Sequence, residues 1–181
     1  QQDLIADRKL ADYVEETKEK VSFVDCFKYK QTWAFALGKL LTDPIWWFYL
    51  FWLPDFLESQ YGIKGTAIAL PVAAVYTMSA VGSVFGGWLP MYFIKKNWSV
   101  FKARKSSMLL YAFLVLPILF AQVLGGINMW LAVFVIGIAA SAHQAWSANI
   151  FTTVSDMFPK RAIASVTGIG GMAGAVGGIL I

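Results

Sequence analysis

The sequence predicts an all-α, polytopic membrane protein, and three observations predict it. Of 181 residues, 58% are apolar and 14% charged, against about 45–50% and about 25% in an average soluble domain. The charges are segregated: none falls within Gly65–Ile94, a run of 30 residues, or within Ser106–Ser155, a run of 50. Lysine and arginine collect in alternate connections between the apolar segments. With a mean hydropathy of +0.59, this composition excludes a disordered chain, a coiled coil and an ordinary soluble enzyme domain. One cysteine, Cys26, excludes a disulfide framework and a cysteine-based metal cluster.

A bilayer core needs about 20 apolar residues per helix. Residues 1–32 are polar, with Leu10, Tyr13, Val14, Thr17 and Val21 at helical spacing, which fits an interfacial helix in a cytoplasmic loop. The first expected span covers residues 33–56, and Trp33 and Trp52 bracket it at headgroup level. The second covers 68–91. The 50-residue run divides into spans at 107–124 and 129–153, with Gly125-Gly126-Ile127-Asn128 as the turn. The fifth covers 164–181. The segments have no polar face, as a lipid-immersed helix requires. No signal peptide is expected at the acidic, polar start. The chain is expected to begin and end inside a larger protein.

Orientation follows from the basic residues. The first segment, the loop between spans two and three and the loop between spans four and five carry 13 of the 15 Lys and Arg. The opposite side has Lys64 alone. This asymmetry places residues 1–32 in the cytoplasm and reads the net charge of +4 as topology, not as a nucleic-acid surface.

Polar groups inside the spans are the candidate site, because they are costly there. Lys39 and Asp43 lie four apart on one face of the first span. Two readings are open: a self-neutralising ion pair, or a cation offered to an anionic ligand when its partner moves. Pro44 follows and removes a backbone donor, so a kink is expected. Beyond it come Trp46, Trp47 and Tyr49 in an aromatic octet. Asp43, Trp46 and Trp47 share a face and Tyr49 lies off it. Aromatic faces shape cavities and stack on sugar rings; bulk facing lipid is the other reading. The fourth span is the most polar, with His143, Gln144, Trp146, Ser147, Asn149 and Phe151. Gln144, Ser147 and Phe151 form one stripe; His143, Trp146 and Asn149 form another. They suit a polar wall on an aqueous path, or interhelical hydrogen bonds. A lone histidine makes no metal site.

In the fifth span Gly170, Gly174 and Gly178 make consecutive GxxxG steps. Ser79, Ser83 and Gly87 make a similar small stripe in the second, beside Gly82 and Gly86. Such faces let helices approach closely and slide. The Thr167–Gly178 segment mimics a dinucleotide fingerprint, but no strand precedes it. No nucleophile–base set, metal cluster or phosphate loop is present, so a membrane-embedded enzyme is a remote alternative.

Tyr29–Phe35, Asp43-Pro44-Ile45-Trp46-Trp47-Phe48-Tyr49-Leu50-Phe51-Trp52-Leu53-Pro54, His143–Asn149 and Ser155-Asp156-Met157-Phe158-Pro159-Lys160-Arg161 resemble the sugar-acid branch of the major facilitator superfamily, particularly bacterial hexuronate transporters. The resemblance covers residues 28–181. It implies helices seven to eleven of a twelve-helix fold, with helix twelve and the amino-terminal six-helix half outside this chain. It further implies a multi-pass protein of the bacterial inner membrane that imports a small sugar acid with protons, by alternating access. No cofactor is implied; the proton gradient supplies the energy. The coupling carboxylates and the main anion-binding arginine are expected on the other half. A carrier for a neutral sugar, drug or aromatic acid is the alternative. One departure is visible: Met91 stands where the family's loop after helix eight has an acidic residue.

Overall fold

A computed structural model of the chain describes residues 22–180. The expected interfacial helix therefore lies outside the described residues, as does Ile181. Among the described residues there are helices and no strands.

A 3-10 turn, Val24–Lys28, leads into α1 (Lys30–Tyr61), which contains Pro44 and Pro54. Gly62 ends α1 in the left-handed conformation at φ 66°, and its N–H returns to the Glu58 carbonyl. A second 3-10 turn, Gly65–Ile68, opens α2 (Ala69–Lys95). Ser99 caps α3 (Val100–Val115) by accepting from the Lys102 N–H. The expected continuous third span is interrupted: Pro117 lies in a 3-10 turn, Leu116–Phe120, because it cannot donate into an α ladder. The rod resumes as α4 (Ala121–Ile127). The expected glycine turn shrinks to Asn128, which is extended and caps α5 (Met129–Met157) by accepting from the Trp130 N–H at 2.8 Å. Gly125 and Gly126 are helical. Pro159 ends that connection, and α6 spans Lys160–Ile179.

Among the described residues four stretches are long and apolar enough to cross a membrane: Gly65–Lys95, Val100–Ile127, Met129–Met157 and Lys160–Ile179. The 32-residue α1 is longer than any of them but more polar, carrying Lys30, Lys39, Asp43, Asp55 and Glu58. At 1.5 Å per residue it reaches about 48 Å. Large apolar side chains such as Leu41, Phe51, Val84, Leu119 and Val123 point outward, as a bundle in lipid requires.

Two helix pairs dominate the packing, α2 on α5 and α1 on α6, with α5 also touching α3, α4, α1 and α6. Small residues permit both. Gly82 and Gly86 lie directly on Ser141 and Ala145 of α5. With buried Ser79 they form the contacting row of α2, while Gly87 meets open space and Ser83 is exposed. The expected Ser79–Ser83–Gly87 stripe is thus rotated by one position. Gly170, Gly174 and Gly178 of α6 all face α1, against Phe35, Asp43 and Trp47. Gly177 adds a contact of its own: it sits on the Leu40 carbonyl and the Pro44 ring. Pro44 lacks the N–H that the Leu40 carbonyl would otherwise accept, so the freed oxygen is covered by glycine backbone from α6.

The start of α3 meets the end of α5 through Arg104 and Asp156, and Tyr29 packs edge-on against Phe158. The three basic segments therefore share one end of the bundle. Lys64 is at the other, where Tyr61 packs on Gly125.

Candidate functional site

Lys39 is 3% exposed, inside the bundle between α1 and α5. Its Nζ lies 2.7 Å from Asp43 Oδ1, 3.4 Å from Ser147 Oγ and 4.0 Å above the Phe151 ring centroid. The ammonium thus has one charged partner, one hydroxyl and one aromatic face. A cation so far from water is tolerated only with such company. Helical spacing explains the grouping: Lys39 and Asp43 are one turn apart on α1, and Ser147 and Phe151 are one turn apart on α5. The other Asp43 oxygen rests against Gly174, where any Cβ would collide with it.

His143 extends the site by one turn. Its Nε2 donates to the Thr42 carbonyl at 2.8 Å; a carbonyl only accepts, so Nε2 carries the proton. Nδ1 is buried without a partner. The Trp46 indole lies parallel to the imidazole, at 6.2 Å between centroids and 8° between planes. Trp46 also lines a cavity of about 320 Å³ with Leu50, Tyr76, Ser79, Ser83 and Gln144. That volume is in the lower range of small-ligand pockets.

The remaining expected residues part company. Trp47 packs on Gly178 and stacks on Phe51, half-exposed on the outer side of α1. Tyr49 is buried in the apolar core with Leu53, Leu57, Val75 and Ile136. Trp146 borders a smaller cavity of about 140 Å³ shared with Tyr49, Tyr111 and His143, and its Nε1 is buried without a partner. Asn149 is fully buried on another face of α5. It accepts from Arg104 Nη1 at 2.9 Å and donates to the Arg104 carbonyl at 3.3 Å.

Arg104 escaped sequence reasoning because it sits among four lysines of a basic loop. It is 8% exposed. Its Nε donates to Asp156 Oδ2 and its Nη2 to Asp156 Oδ1, the latter at 3.2 Å. The signal was the seven-residue spacing of Asn149 and Asp156, which stacks them on one face of α5. Among the described residues, no group of His, Cys, Asp and Glu could hold a metal ion.

A bundle of long apolar helices that encloses an ion pair beside hydroxyl, amide and imidazole groups has the makings of a membrane carrier. The Major Facilitator Superfamily profile matches residues 5–181, and the chain belongs to that family. It is a multi-pass membrane protein of a transporter family, not an enzyme. The hexuronate transporter of Escherichia coli (strain K12) is 28% identical over 176 residues, 95% of this chain and 40% of its own length. The D-galactonate transporter of Escherichia coli O6:H1 is 23% identical over 145 residues, 80% of this chain and 33% of that protein. The galacturonate transporter of Dickeya chrysanthemi is 29% identical over 77 residues, 42% of this chain and 22% of that protein. The chain thus spans less than half the length of these relatives. No solved structure matches it.

Proposed function

We propose that the chain is the carboxyl-terminal bundle, five spans with α1 as the first, of a proton-coupled importer of a hexuronate or similar sugar acid in a bacterial inner membrane. Residues 1–32 form its central cytoplasmic loop. The single observation that carries the substrate class is Lys39, a cation enclosed by α1 and α5 beside Ser147 and Phe151. A uronate offers one carboxylate for the ammonium and a polyol ring for hydroxyl, amide and aromatic neighbours. Trp46 and Gln144, on the larger cavity, are the groups placed to meet the ring. The relatives named for hexuronate, galactonate and galacturonate agree with this choice. The glycine seams between α1 and α6 and between α2 and α5 suit two halves that rock about the site.

The test is uptake of labelled glucuronate into proteoliposomes holding the full-length polypeptide. An inward proton gradient accelerates uptake, and excess unlabelled galacturonate blocks it while glucose does not. Equal competition by glucose would assign the neutral-sugar alternative. Indifference to the gradient would remove proton coupling.

A further inference from the structure

Asp43 occupies the position a substrate carboxylate needs. It is the charged partner of Lys39, at 2.7 Å, and is itself less enclosed, at 20% side-chain exposure against 4% for Lys39. An incoming sugar-acid carboxylate would therefore share one ammonium with a second carboxylate. Two carboxylates held at one site do not both stay ionised without large cost. One proton resolves the conflict. Asp43 carboxylate plus a proton becomes the carboxylic acid, Lys39 keeps its charge, and the substrate carboxylate takes the place beside Nζ. Nothing is oxidised, and one proton enters with one anion.

We propose that Asp43 is a resident counter-ion that the substrate displaces, and that the proton it takes is one of the coupling protons. This rests on the sugar-acid reading and adds a proton site on this half of the carrier. Asp43 is the group in direct contact with the ammonium that the substrate would share, which makes it the first candidate for that proton. On its own helix Lys39 faces it. From α5 come His143, whose Nε2 donates to the Thr42 carbonyl and whose Nδ1 is a second basic atom without a partner, and the neutral Ser147 on Lys39. From α6 Asp43 meets glycine backbone at Gly174; the ionisable residues of that helix, Lys160 and Arg161, lie 13 or more residues away along it. The same Gly174 contact gives the proton a mechanical consequence. The charge on Asp43 is felt at the α1–α6 seam, where no side chain intervenes, so its neutralisation alters the packing of two helices that must move past each other.

The test is binding of glucuronate to the purified full-length polypeptide across pH, with proton uptake followed in weak buffer, for wild type and Asp43→Asn. Wild-type affinity should fall by up to about tenfold per pH unit for each linked proton on the alkaline side. Asp43→Asn should bind more tightly than wild type at alkaline pH, with a shallower slope and one proton fewer taken up per glucuronate. A gain of affinity cannot come from a misfolded variant. If Asp43→Asn keeps the wild-type slope and proton count, or binds more weakly at every pH, the inference is overturned while the sugar-acid reading stands. If wild type binds glucose and not glucuronate, that reading fails and the inference falls with it.

Discussion

Among the described residues two ion pairs have a buried cation, Lys39–Asp43 and Arg104–Asp156, and they differ in construction. Arg104 and Asp156 join two helices, and the guanidinium meets the carboxylate with two nitrogens while Asn149 holds both its side chain and its carbonyl. Every part of that arrangement is charge-assisted or reciprocated, which fixes geometry. Lys39 and Asp43 belong to one helix, meet through a single contact, and reach α5 through a hydroxyl at 3.4 Å and a ring and α6 through the packing of Asp43 on Gly174. The first pair clamps the basic end of α3 to the end of α5. The second, in the proposed carrier, is a charge held ready beside fewer hydrogen-bond partners. Burial alone does not separate a structural pair from a functional one; the number and kind of bonds that would have to break does.

Breaking the clamp should have the largest effect. Arg104→Met takes the guanidinium from Asp156 and leaves the buried Asn149 side-chain oxygen without its donor, while the Asn149 amide N–H keeps the main-chain carbonyl of residue 104. Asp156 is itself solvent-exposed, so the loss is that of the charge-assisted hydrogen bonds and of one buried amide oxygen left unpaired, about 2–4 kcal/mol, and the purified protein should lose thermal stability in detergent. A Tm within a degree or two of wild type would reduce the clamp to a surface pair. The next effect sharpens the comparison from the Asp43 side. Gly174→Ala places a methyl on the Asp43 carboxylate and should cost about 1–3 kcal/mol. Gly171→Ala, which meets open space on the same helix, should stabilise by about 0.5–1 kcal/mol. Melting curves should therefore move in opposite directions; parallel shifts would remove the close seam at Asp43. The smallest effect is expected from Ser147→Ala. It deletes one hydroxyl worth about 0.5–1.5 kcal/mol net, and glucuronate affinity should weaken a few-fold with no Tm shift comparable to that of Arg104→Met. A larger loss would make Ser147 an equal partner of Lys39.

The fold was legible because lipid immersion writes itself into composition. Charge-free runs, tryptophans at span ends and glycines at four-residue steps locate the helices and the close-packing face of α6, but not the helix that face meets. What stayed hidden was set by the backbone. Pro117 breaks the third rod into α3 and α4, and Asn128 alone carries the turn because an amide side chain can cap where two glycines need not. The Lys39–Asp43 pair was visible as spacing on one helix. Its partners Ser147 and Phe151 stood on a candidate stripe, but which helix they would face was not. The aromatic octet dispersed because successive helical residues point in different directions. Trp46 turns to His143, Trp47 to α6 and Tyr49 to the core. Carbonyls do not show in a sequence at all, so the bond from His143 to Thr42 and the cover of Leu40 by Gly177 had no signal. Arg104 was masked by neighbours whose charges serve topology.

The position of Lys39 opposite the substrate carboxylate is tested most directly by glucuronate affinity of the full-length polypeptide carrying Lys39→Gln, measured beside wild type with melting curves for both. A charge-assisted bond to a carboxylate contributes about 1.5–3 kcal/mol, so the variant should bind glucuronate about tenfold or more weakly while remaining folded. Affinity equal to wild type in a folded Lys39→Gln protein would contradict it and leave Lys39–Asp43 a structural pair.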